Sequence, residues 1–157
     1  MSFEVRRVVT GHDANGKAIV LIDEMKPSAS ARPGAHAVVA WTTQDWPVNN
    51  DAAQDEGKRQ TGTTLDNGTV FRIVRFDPGV TARNHRTDSI DYAVVIAGEI
   101  DMDLDGTVVH LKAGDVLVQR GTIHNWINRG KEPCVIAFSL IAAKPVTAGG
   151  KVLEAHG

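Results

Sequence analysis

The chain is poor in several things, and each scarcity removes a class of explanation. There is one cysteine, Cys134, in 157 residues. No internal disulfide framework can form, and such usage fits a reducing compartment. No apolar run approaches the roughly 18 residues that a bilayer-spanning helix needs. The opening MSFEVRRVVT lacks the long apolar stretch of a secretory leader, so a cytoplasmic location is expected. Neither sign of charge dominates: 17 Lys and Arg against 19 Asp and Glu leave a net charge of −2. That balance gives no reason to expect nucleic acid or an anionic membrane as a partner. Apolar residues at a sustained 3.6-residue period are missing too, so no amphipathic helix is expected.

What is present reads as strands and turns. The length suits a single domain over 1–157 with a real core. Strand-like runs occupy Val5 to Thr10 and Ala18 to Ile22, separated by the turn signal Asn15-Gly16. Pro27 to Gly34 reads as a loop, Ala37 to Thr43 as a strand, and the polar stretch Asn49 to Thr64 as an exposed excursion. Asn67-Gly68 is a second turn signal before a strand at Val70 to Phe76. Asp91 to Ile96 is rich in β-branched residues. In Glu99 to Leu104 acidic and apolar residues alternate strictly, which predicts Ile100, Met102 and Leu104 inward. Asp105-Gly106 closes a hairpin onto Thr107 to Leu111. Val116 to Gln119, Ile123 to Asn128 and Cys134 to Ile141 complete the set, and a Gly- and Ala-containing tail from Val146 is expected to fray. Short, evenly spaced strands with Gly, Asn and Asp turns predict an all-β barrel or sandwich. N-terminal strands fill 1–64, the barrel 65–145 and the tail 146–157.

The stretch from Gly79 to Asn128 is the most informative. Gly79 is followed after five residues by His85, with Arg86, Thr87, Asp91 and then, six residues later, Gly98. Gly114-Asp115 opens a second group, with Arg120, Gly121, His124 and Asn128. This arrangement resembles the two motifs of the cupin superfamily. In the first motif Thr87 stands where a second histidine is usual, and Asp91 where a glutamate is usual. In the second, Arg120 replaces a proline and the corner is one residue short. The resemblance implies a double-stranded β-helix, or jelly-roll barrel, here with extra N-terminal strands. It implies a site at the barrel centre but does not choose among the many cupin activities.

In cupins with the full motif, three histidines and a glutamate hold a divalent metal. The positions kept here are His85, Asp91 and His124. Two imidazoles and a carboxylate form a facial triad of the kind that suits Fe(II) best, with Zn, Mn or Ni as other occupants. The same three groups are equally expected to hydrogen-bond one another with no metal, and to act as acid or base. Trp126 shares the face of His124 and is expected to line the pocket, or else to serve as a core aromatic. Thr87, Arg120 and Asn128 complete the candidate substrate-binding set. Arg83, Arg86 and Arg120 flank the motifs and suit a carboxylate, or else solvent and structural ion pairs. Tyr92 points to the opposite face from Asp91. His12, His36, His110 and His156 have no ligand spacing to another candidate. Cys134 reads as a small buried residue.

Three functions fit these residues. The first is a metal-dependent enzyme that oxidises or decarboxylates a small organic substrate, with aromatic compounds as one option. The second is a non-catalytic small-molecule-binding barrel without metal. The third is a metal-free isomerase or dehydratase. Strands ahead of the barrel often pair with a second subunit in small cupins, so a homodimer is expected.

Overall fold

In the computed structural model, which describes residues 2–51 and 53–157, the alternating segments form strands, and no α-helix occurs among the described residues. The strands are β1 (Glu4–His12), β2 (Ala18–Pro27), β3 (Ala29–Arg32), β4 (Ala35–Gln44), β5 (Gly68–Phe76), β6 (Ser89–Ala97) and β7 (Glu99–Leu104). They continue as β8 (Thr107–Lys112), β9 (Val116–Arg120), β10 (Asn125–Ile127), β11 (Cys134–Ala142), β12 (Val146–Ala148) and β13 (Lys151–Leu153). Six of them form one sheet in the order β3-β4-β5-β11-β6-β9, and three form a second sheet in the order β10-β7-β8.

The core lies between these sheets. Ile100 and Met102 of β7 are each 2% exposed, which matches the inward parity expected from Glu99 to Leu104. They meet Val70, Val74, Phe76, Ile136, Phe138 and Leu140 from the large sheet. Asp105 and Gly106 both adopt positive φ, 53° and 96°, as a two-residue hairpin between β7 and β8 requires. Gly98, at φ 74°, is needed for a second reason: a Cβ there would run into the Pro133 carbonyl oxygen.

Three expectations are corrected. The segment read as a loop contains β3, whose Ala and Ser side chains are exposed and so carry no alternating signal. The polar excursion is not wholly exposed. A 3-10 turn at Glu56–Lys58 buries Glu56 and Gly57 against β4. It is held there by charge: Arg7 Nη1 and Nη2 donate to the two Asp55 oxygens at 2.7 Å each, and Thr42 Oγ1 donates to the Glu56 carbonyl at 2.6 Å. The tail does not fray: β12 and β13 pair, and Arg86 and His156 exchange backbone hydrogen bonds at 2.8 and 2.9 Å.

β1 and β2 form a separate two-stranded arm. Arg7 reaches from it to the Ala40 carbonyl at 3.2 Å, and Lys26 to the Val39 carbonyl at 2.7 Å. The arm and the 3-10 turn therefore cover the outer face of β4, where Val38, Ala40 and Thr42 are buried. The outer face of β5, β6 and β9 stays open, with Phe71, Tyr92, Val94, Val116 and Val118 between 45% and 73% exposed. Tyr92 thus faces away from Asp91, as alternation predicted.

Candidate active site

Register assembles the site. Antiparallel pairing places Asp91 of β6 opposite Gln119 of β9, and Leu140 of β11 on the other side of Asp91. The segments holding the two histidines meet as an isolated bridge. His85 N–H donates to the His124 carbonyl at 3.0 Å, and His124 N–H to the His85 carbonyl at 2.9 Å. Residues so bridged project to the same side, and the imidazole centroids lie 4.1 Å apart. His85, Asp91, Gln119 and His124 are all at least 94% buried and line one cavity.

The hydrogen bonds have a single consistent direction. His85 Nδ1 donates to the Arg83 carbonyl at 2.9 Å, and His124 Nδ1 to the Thr122 carbonyl at 3.0 Å. A carbonyl only accepts, so each neutral ring keeps its lone pair on Nε2. Gln119 Nε2 then donates to His124 Nε2 at 3.1 Å and to Asp91 Oδ2 at 3.2 Å. The other carboxylate oxygen accepts from Ser89 Oγ at 2.6 Å, and Ser89 in turn accepts from Thr87 Oγ1 at 2.8 Å. One polar chain runs from Thr87 through Asp91 to His124.

Burial sets the charge states. It pushes the Asp91 carboxyl above the usual carboxylate range, against the opposing hydrogen bonds from Ser89 and Gln119 and the charge of Arg72. It lowers His85 to about 4, with the neighbouring His124 as the next cause, and lowers His124 as well. Both rings are therefore neutral at pH 7. A carboxyl whose affinity for a proton is raised, beside two imidazole lone pairs, is a set for moving protons.

The remaining candidates divide. Thr87 and Trp126 line the cavity. Trp126 is 3% exposed, packs on Phe76 at 5.7 Å and meets the His124 ring edge-on at 5.9 Å. Arg120 does not belong to the site: parity turns Gln119 inward and leaves Arg120 exposed on the outer face of β9. Asn128 does not line it either. Its Nδ2 donates to the Phe76 and Glu132 carbonyls at 3.0 and 2.9 Å, which ties the end of β10 to β5. Arg86 is spent on the Gly121 carbonyl at 3.1 Å, whereas Arg83 lines the cavity. Cys134 is fully buried and its thiol is pushed up to about 11, which makes it a packing residue.

Sequence reasoning missed Ser89, Gln119, Arg32 and Arg72. The signal for two of them was parity. In VFRIVRF, Arg72 occupies the inward series with Val70, Val74 and Phe76. In VLVQR, Gln119 is the inward polar residue of an apolar strand.

The expected metal triad does not assemble. The Gln119 amide stands between Asp91 and His124, hydrogen-bonded to both. Among the described residues, no three His, Cys, Asp or Glu side chains converge on a point that would hold a metal ion. A divalent ion on His85, Asp91 and His124 together would require Gln119 to leave. The donor set as folded does not fit it.

Comparison with known proteins agrees with the fold. The family model described as "Cupin domain" matches residues 72–141. The phomopsin biosynthesis cluster protein C' of Diaporthe leptostromiformis is 40% identical over 157 residues, spanning 94% of this chain and 83% of that protein. The cupin-domain-containing oxidoreductase fogC of Aspergillus ruber is 34% identical over 161 residues, spanning 97% and 79%. Among solved structures, the cupin domain of Schizosaccharomyces pombe Cnp3 superposes with a TM-score of 0.53 over 88% of this chain and 87% of that one. At 12% identity that likeness concerns the fold alone. With its jelly-roll sheets, the Cupin domain match and relatives that align over nearly the whole of this chain, this chain belongs to the cupin family.

Proposed function

We propose that the chain is a cupin-type enzyme acting on a small organic molecule held in the barrel cavity, with oxidoreductase as its reaction class. The observation that carries an enzymatic reading is the Asp91–Gln119–His124 chain beside His85. These groups are buried, hydrogen-bonded and shifted in proton affinity, in a cavity walled by Trp126 and Phe138. Relatives named as cupin-domain-containing oxidoreductases, at 30–34% identity, support the reaction class. The residues of this chain supply only the proton movements of such a reaction; the two electrons removed from a C–H or O–H group pass to a co-substrate oxidant, dioxygen in the test below, which is reduced to hydrogen peroxide. Neutral His85 offers its Nε2 lone pair, His124 Nε2 is held by the Gln119 amide, and Asp91 returns a proton. Decarboxylation or isomerisation would draw on the same groups.

The test is turnover of a panel of small aromatic and aliphatic alcohols, aldehydes and acids, with oxygen uptake and product mass recorded. Wild type is expected to convert at least one class, while Asp91→Asn and His124→Ala lose most of that activity. Equal turnover in the variants, or none by wild type across the panel, overturns the reading. Metal analysis of protein purified without chelators runs beside it. A stoichiometric ion, lost in the double variant His85→Ala, His124→Ala, would restore the metal-dependent reading.

We also propose a homodimer. The open apolar face of β5, β6 and β9 adjoins the arm-covered face of β4, and the arm itself exposes Val8, Val20, Leu21 and Met25. A second copy would bury both surfaces.

A further inference from the structure

We propose that the cavity selects a small carboxylic acid that also carries a hydroxyl group, through Arg72, Arg32 and Gln119. This rests on the reading of the cavity as a small-molecule site and names the substrate class.

The first observation is unbalanced charge. Arg32, Arg72 and Arg83 all line the cavity. Several arginines outside the cavity are paired with carboxylates: Arg6 with Asp23, Arg7 with Asp55 and Arg129 with Asp101. The three cavity arginines bond carbonyls and a hydroxyl instead. Arg32 Nε donates to the Thr81 carbonyl at 2.8 Å, and Arg72 Nη2 to the Gly62 and Thr63 carbonyls at 2.6 and 3.0 Å. Arg83 Nε donates to the Gly157 carbonyl at 2.9 Å and its Nη atoms to Thr63 Oγ1. Among the described residues none of the three pairs with an Asp or Glu side chain. Asp91 is the carboxylate whose charge reaches Arg72, and both histidines are neutral at pH 7. Burial and the charge of Arg83 draw Arg72 down to about 10 and lower Arg32.

The second observation is a set of buried polar atoms without partners. Arg32 Nη2 and Arg72 Nε are buried donors with no acceptor, and Gln119 Oε1 is a buried acceptor with no donor. A buried polar atom without a partner is destabilising, and three such atoms on residues of one cavity are the atoms a ligand there would complete. The amide cannot be turned to cure this. Reversal would set Oε1 against the Asp91 carboxylate and the His124 lone pair, both of which need a donor. Gln119 is 4% exposed, so bulk solvent does not reach it.

The unmet needs specify the ligand. Two guanidinium groups with free N–H donors call for a carboxylate. A lone acceptor near the carboxylate–histidine chain calls for an O–H. Trp126, Phe76 and Phe138 offer ring faces and edges to a flat apolar body.

The experiment measures binding by calorimetry, independent of turnover, with 2-hydroxybenzoate, benzoate, 2-hydroxybenzyl alcohol and inorganic phosphate as probes. The hydroxy acid is expected to bind at least about tenfold tighter than the neutral alcohol and than phosphate. Arg72→Met and, separately, Arg32→Met are expected to remove that advantage, and Gln119→Leu to remove the preference over benzoate. Circular dichroism establishes that each variant is folded. The inference is overturned if the alcohol or phosphate binds as well as the acid, or if both folded arginine variants keep wild-type affinity. Acid binding without turnover would sink the enzymatic reading and leave this one standing. Turnover of neutral substrates alone would do the reverse.

Discussion

Gln119 stands directly across the β6–β9 ladder from Asp91, and its single amide nitrogen serves both the Asp91 carboxylate at 3.2 Å and His124 Nε2 at 3.1 Å. The side chain therefore couples the acid to the base while holding them apart. Gln119→Leu keeps the volume and removes both bonds. One of the influences that lowers Asp91 disappears, so its carboxyl rises further. The pH–rate profile of the variant is expected to move its acidic limb upward. kcat/KM is expected to fall by about 10–100-fold, as loss of hydrogen bonds to a charged group allows. An unchanged profile would show that the coupling is idle.

Acid sensitivity follows from the buried rings. His85 is held at about 4 in the folded protein, against an ordinary 6.5. Below 6.5 the unfolded chain takes up the proton first, so stability falls as pH drops from there toward 4, by on the order of 3 kcal/mol. Asp91 acts in the opposite direction. Its raised carboxyl favours the folded state once protonated, offsetting part of the loss near the acidic end. Urea midpoints measured between pH 7 and 4 are expected to decline in wild type and to decline less steeply in His85→Gln, where the lowered His124 still contributes. Parallel curves for the two proteins would refute the assignment.

Arg7 is the arm's buried ionic anchor. Arg7 has a side chain only 4% exposed, and its guanidinium is held by Asp55, driven down to about 2, together with the more exposed Glu24. Asp55→Ala leaves that cation short of its main partner inside the protein. The expected cost is about 3 kcal/mol in denaturant unfolding, well above that of a surface ion pair. Glu24→Ala, at the exposed side of the same arginine, should cost less than 1 kcal/mol by the same comparison, roughly. A reversed order of the two variants would place the anchor elsewhere.

The open sheet face can be tested by charge insertion. Wild type is expected to elute with a light-scattering mass near twice its 16.9 kDa. Tyr92→Asp with Val118→Asp places two carboxylates in that face, where both residues are more than half exposed. The double variant should run as a folded monomer. A wild-type monomer, or an undisturbed dimer in the variant, would remove this face from consideration.

Much of this fold was legible because strands announce themselves by period and turns by residue type. Glu99–Leu104 formed as read, down to the inward Ile100 and Met102. The histidines were found through the cupin spacing, and the bridge between them follows from it. The misses have two physical sources. Short exposed strands such as β3 and β13 carry no alternation, since neither face is buried deeply. The second source is reading residues beside a motif as residues inside the site. Arg120 is adjacent to the second motif and points out, while Gln119, one residue earlier, points in. Arg72 and Arg32 lie outside both motifs and reach the cavity from β5 and β3. Face parity, carried across the whole sheet, would have recovered Arg72 and Gln119. It would not have found Arg32, on a strand the sequence did not announce.

The paired backbone bonds of His85 and His124 have a use beyond placing the rings. Each amide is shielded by the other residue's carbonyl, in segments that belong to neither main sheet. Parting those segments exposes both amides together and leaves the six-stranded ladder closed. Their hydrogen-exchange rates therefore time the opening of the cavity separately from unfolding of the barrel.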